Sequence, residues 1–269
     1  MKIWTIASGH NKNSYQEVTD YLVKSSCRCL GVEYPSNSSG LIGEYVAGRL
    51  SYDELMKRVR VKFKTNFSDS QWTQVKERER PQFVGMRKLR ASYPEFQAFA
   101  FETPGLFMKA SEVDNDFYSE VTSDSPDIGK ILAIYDKMVS IGTNRNKLDS
   151  QRIGKVAKSS ATDVHISIGA QHAPFITLEL KRMGYDSEMV LLSDFFIPPK
   201  DELIIRRSKG EPVEPPELIA YAERDIYFWK HYAAQVRRTG EDIGSMIDVQ
   251  FDGTNKQKLF SELIKDLDV

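Results

Sequence analysis

Apolar residues fall along this chain in two rhythms. Short stretches rich in β-branched and aromatic residues alternate with longer ones in which apolar residues recur every three or four positions. The first rhythm suits a pleated strand and the second suits one face of a helix. Lys2–Ala7 reads as a strand, because Ile3, Trp4, Thr5 and Ile6 favour extended backbone. Residues 13–24 read as a helix, with Tyr15, Val18, Tyr21 and Leu22 at helical spacing. Leu30-Gly31-Val32-Glu33-Tyr34 is a second short strand, which Pro35 is expected to stop. Strand, helix and strand in so short a span predict a βαβ unit with parallel strands and a right-handed crossover.

Further along, helices are predicted over 40–50 and 52–63, the second capped by Ser51 with Glu54 three residues on. Residues 64–95 are highly charged, and Lys76-Glu77-Arg78-Glu79-Arg80 reads as a solvated helix face. Phe96–Phe101 alternates like a strand. Ile128, Ile131, Leu132, Tyr135, Met138 and Val139 mark a helix that Gly142 should end, and Thr143 or Asn144 should cap another through about Lys158. Val164–Ile168 is the clearest strand. A helix over 175–183, stopped by Gly184, and a strand over 189–192 follow. From Ile197 the texture becomes charged and proline-rich, as in a boundary or arm, before a helix from Pro215 to about Arg238 and a last one over 256–267.

These elements predict an α/β protein: a three-layer sandwich with a largely parallel central sheet, plus a C-terminal helical extension. The expected organisation is one domain over 1–195 with a helical insertion around 40–95, and an extension over 196–269 packed on it.

Composition narrows the function classes. The chain has 269 residues, 41% of them hydrophobic and 28% charged, an ordinary globular mixture. Thirty-seven basic residues balance 38 acidic ones, which argues against a nucleic-acid-binding surface. No apolar run is long enough for a membrane span. The apolar opening is broken at once by Ser8, Gly9 and His10, so no export signal is expected. Cys27 and Cys29, one residue apart, are expected to be free thiols, which points to a reducing cytoplasm.

Candidate chemistry collects at strand ends. Ligands of open α/β sheets bind beyond the carboxyl ends of parallel strands. His10 follows the first strand, Glu33 ends the second, and His172 follows the clearest late strand. Glu102 also ends an apparent strand and is a secondary candidate, with a turn before Pro104 as its other reading. His165 lies inside a strand and reads as a hydrogen-bonded structural histidine. His231, among Tyr227, Phe228 and Trp229, reads as part of helix packing.

Ala7-Ser8-Gly9-His10, a helix, and then Gly31-Val32-Glu33-Tyr34 resemble the opening of the TraB/Tiki superfamily, which includes GumN-like proteins and, more remotely, erythromycin esterases. The second Gly-x-x-His motif is intact as Gly169-Ala170-Gln171-His172, and Gly184-Tyr185 follows the next helix, as in GumN-like members. Asn144-Arg145-Asn146 is similar to the family's Arg-Asn stretch. The first motif departs from the pattern, with Ala7 in place of glycine. The likeness covers the start of the chain and about residues 127–190.

The resemblance implies a hydrolase of peptide or ester bonds that uses His10, Glu33, Arg145 and His172. In a Tiki-like version His10, Glu33 and His172 hold a divalent ion, Mn, Co or Zn, which activates water. In an esterase-like version a histidine is the base, Glu33 orients it and Arg145 stabilises the oxyanion. The expected partner is a peptide or small ester, not nucleic acid or membrane. The rival reading is a non-catalytic binding or regulatory protein of the TraB type.

Overall fold

A computed structural model describes residues 1–9, 12–63, 69–194, 197–239 and 259–269. Among these, five strands form one all-parallel sheet in the order β3-β2-β4-β1-β5. They are β1 Ile3–Ser8, β2 Cys29–Pro35, β3 Gln97–Glu102, β4 Val164–Gly169 and β5 Ser187–Val190. Between the strands along the chain come the helices α1 Lys12–Lys24, α2 Ser39–Val46, α3 Tyr52–Phe63, α4 Asp69–Ser92, α5 Pro104–Val121, α6 Ile128–Ser159 and α7 Ala173–Arg182. Three more follow: α8 Pro199–Ser208, α9 Pro215–Thr239 and α10 Phe260–Ile264. The expected α/β class is the one observed.

Strand order fixes the layers. The connections β1→β2 and β2→β3 run one way across the sheet, and β3→β4 and β4→β5 run the other way. With right-handed crossovers their helices take opposite faces. α1 and α4 share one face, where Thr19 Oγ1 donates to the Pro81 carbonyl at 3.1 Å. Gly85 makes this approach possible, since a Cβ there would stand 2.5 Å from Thr19 Cγ2. On the other face Tyr185, after α7, donates to the Gly154 carbonyl of α6 at 2.9 Å. β4, in the interior of the sheet, is buried at all six positions, as a strand covered on both faces must be.

The described chain divides into two compact units. The first is Met1–Pro104 with Asn146–Ser193 and Val269, and it contains the sheet. The second is Gly105–Arg145 with Asp194–Asp268, and it is helical. Phe117, Tyr135, Leu203, Tyr221 and Trp229 belong to its own apolar core. Beside that core, Lys200 Nζ donates to Asp114 Oδ1 at 3.1 Å, and Asp225 accepts the Lys200 N–H at 3.1 Å and the Tyr135 hydroxyl at 2.5 Å. A buried ammonium requires such partners.

Several elements differ from expectation. Gly142 does not end a helix: α6 runs unbroken from Ile128 to Ser159. A helix-interior glycine costs only about 1 kcal/mol relative to alanine, which neighbouring turns and packing offset. The charged stretch after Ile197 is helix α8, whose buried side includes Leu203, Ile204 and Ile205. Residues 104–121, for which no element was expected, form α5 with Pro104 at its first position, where the absent N–H has no helical partner to lose. Pro35 is the last residue of β2 rather than the one that stops it. Ser51 does cap α3, accepting the Glu54 N–H at 3.1 Å. Residues 256–258 of the expected last helix lie outside the described residues. Cys27 and Cys29 are buried free thiols, and burial pushes both above the usual thiol range. No described helix is long and apolar enough to cross a membrane.

Candidate functional site

The carboxyl ends of β1, β2 and β4 border a small cleft in the first unit. Its lining comes from Ser8 of β1, Glu33 and Tyr34 of β2, and Ser167 and Ile168 of β4, with Tyr15 of α1 and Gln82 of α4. The cleft is about 10 Å³, close to the space one water requires. Glu33 is half-buried, and its Oε2 accepts the Gly169 N–H at 2.5 Å. Gln82 Nε2 donates to Ser167 Oγ at 2.6 Å, which joins α4 to β4. The Tyr34 hydroxyl donates to Glu79 Oε2, and Arg78 Nη2 lies 3.1 Å from the other oxygen of that carboxylate. Burial, and then the charge of Glu79, hold the Tyr15 and Tyr34 phenols well above their ordinary range, so both keep their protons.

His172 lies next to this cleft along the chain but does not line it. It occupies the N-cap position of α7, its N–H donates to the Gly169 carbonyl at 2.9 Å, and its ring is buried. Nδ1 is 2.9 Å from Asn146 Oδ1 of α6, and Nε2 is 3.4 Å from Gln171 Nε2. A carbonyl oxygen can only accept, so Nδ1 carries the hydrogen and Nε2 keeps its lone pair. Gly169 thus donates its N–H to the Glu33 carboxylate and accepts the His172 main-chain N–H at its carbonyl. One turn along α6, Asp149 accepts both the N–H and the hydroxyl of Thr103 at 3.0 Å, just beyond β3.

The other expected site residues are His10, Arg145 and Glu102. His10 lies outside the described residues. Just before it, Ser14 Oγ accepts the Gly9 N–H at 2.9 Å. Arg145 is half-buried on α6 and is the last α6 residue grouped with the second unit. Glu102 is a buried strand residue at the end of β3, in register with Pro35, and not a turn residue. Among the described residues no group of three His, Cys, Asp or Glu is placed to hold a metal ion. Glu33 and His172 are the described members of the expected ligand set.

Two expectations need correction. Glu79, assigned to a solvated face, is buried at 7% exposure, while Glu77 and Arg80 beside it are exposed. His165 is buried as expected, packed edge-on to Tyr21 at 6.2 Å, but its Nδ1 has no hydrogen-bond partner. Tyr34, Glu79, Gln82 and Asn146 escaped notice as site residues. The spacing of Glu79 and Gln82, three apart on one helix, and of Asn146 and Asp149, also three apart, is the signal that was present. No family model, no curated protein and no solved structure matches this chain.

Proposed function

We propose that this chain is a hydrolase of peptide or ester bonds, as its resemblance to TraB/Tiki proteins implies, working at the carboxyl ends of β1, β2 and β4. The observation that carries the reading is the Glu33 carboxylate at the carboxyl end of β2, whose Oε2 accepts the Gly169 N–H in a cleft bordered by three parallel strand ends. In this reading Glu33 takes a proton from water as the water oxygen bonds the acyl carbon. The C–O or C–N bond to the leaving group then breaks, and the proton passes from Glu33 to the departing oxygen or nitrogen. His172 Nε2 is a second base beside the first. The resemblance assigns the oxyanion to Arg145.

The test is a screen of pooled peptides and aryl esters with the full chain, in EDTA and with added Mn, Co or Zn. Turnover is expected, and Glu33→Gln should lower it by about a hundredfold or more while the circular dichroism spectrum stays unchanged. Turnover that requires an added ion would move the reaction to the metal version, with His10 as a third ligand. No turnover under any condition, or full turnover in Glu33→Gln, would sink this mechanism and favour a binding or regulatory protein.

A further inference from the structure

We propose that Tyr34 fixes the attacking water in the Glu33 cleft, and that Glu79 of α4 is the positioning residue for Tyr34. The inference deepens the hydrolytic reading above and rests on it. Consecutive strand residues face opposite sides of a sheet, yet Glu33 and Tyr34 line the same cleft. The cause is an irregularity in β2, whose register with β3 shifts between Val32 and Pro35. Such bulges re-aim side chains and cluster beside active sites.

The cleft takes one small ligand, and its polarity says which kind. Its volume of about 10 Å³ suits a single water. Tyr34 gives its hydrogen to Glu79, so the phenol oxygen is left with lone pairs to accept one. The Glu33 carboxylate is an acceptor only. A water that donates one hydrogen to Glu33 and the other to Tyr34 turns a lone pair away from both, toward an acyl carbon. α4 keeps the device in place. Glu79 is buried, and Gln82, one turn on, is tied to Ser167 at 2.6 Å. The Tyr34 ring packs edge-on to Phe83 at 5.7 Å, which fixes its direction.

The decisive variants are Tyr34→Phe, which keeps the ring, and Glu79→Ala compared with Glu79→Gln. On an ester that the wild-type protein hydrolyses, Tyr34→Phe should lower kcat about tenfold to a hundredfold and leave KM within about twofold, because the phenol holds the nucleophile and not the acyl group. Glu79→Ala should show the same split. Glu79→Gln, which still accepts from the phenol, should recover most of kcat. A Tyr34→Phe protein with unchanged kcat overturns the inference and leaves the hydrolytic reading standing. A wild-type chain without turnover removes both. High-resolution diffraction of the wild-type protein is the check that needs no variant to fold. A water bonded to both Glu33 and Tyr34 is expected, and an empty cleft, or a water held by the serines alone, overturns the inference.

Discussion

An imidazole can act as base or ligand only at a nitrogen that keeps its lone pair, and at His172 that choice belongs to Asn146. The 2.9 Å contact from Nδ1 to Asn146 Oδ1 selects the tautomer with an unprotonated Nε2. Replacing the acceptor should release that selection. In Asn146→Ala, nitrogen NMR of the imidazole is expected to show a larger share of the Nε2–H form, and turnover should fall about tenfold to a hundredfold. A wild-type spectrum already dominated by the Nε2–H form would contradict the assigned orientation. Asn146 was visible in the sequence as the neighbour of Arg145, but nothing local says that its side chain meets a histidine 26 residues on. Glu79 is the same lesson with the opposite surface: its charged neighbours suggest solvent, and its burial is decided by Tyr34, 45 residues away.

At the scale of elements, legibility followed how local the deciding force is. β1, α1 and β2 could be read because apolar rhythm and turn residues agree there. α6 could not, because Gly142 is a local stop signal that packing overrides, and α8 could not, because Pro198 and Pro199, which read as a boundary, are the N-cap and first residue of the helix. The strand-end residues Glu33 and His172 were legible from their positions, whereas the groups that hold them come from helices. Gly31 shows how tightly the sheet constrains one of its elements. A Cβ there would stand 2.6 Å from Ile166 Cδ1 and 2.8 Å from Phe99 Cζ. Gly31→Ala is therefore expected to cost about 1–3 kcal/mol by overpacking. Gly40→Ala, at an exposed position of α2 with nothing within 4 Å of the added atom, should gain up to about 1 kcal/mol. Urea midpoints of the two variants should move in opposite directions, and a stable Gly31→Ala would show that β2 has slack.

For the whole molecule, the two units carry buried groups whose titration pulls stability in opposite directions. Desolvation pushes the His165 imidazolium down to about 4 in the first unit. The unfolded chain takes up that proton first, so stability is complete above about pH 6.5 and is lost as pH falls toward 4, by at most about 3 kcal/mol. In the second unit burial pushes the Asp225 carboxyl up to about 7, against the pull of Tyr135 and Lys200. A raised carboxyl contributes stability below its unfolded value near 4, and that contribution is lost as pH rises to about 7. Between pH 4.5 and 6.5 the first unit should gain and the second should lose. Urea unfolding followed by Trp4 and Trp72 for one unit, and by Trp229 for the other, reads them apart, and parallel shifts would contradict both assignments.

The strand order has a consequence in time. β1 is made first, yet its neighbours are β4 and β5: Ile3 aligns with Val164 on one side and Ser187 on the other. At a synthesis rate of about 5–20 residues/s, Ile3-Trp4-Thr5-Ile6 has no neighbour to pair with for roughly 10–30 s. β2 finds β3 much sooner, with Cys29 aligned to Gln97. The emerging chain thus carries an apolar strand whose neighbours arrive only from Val164 onward, the kind of unpaired segment that chaperones hold.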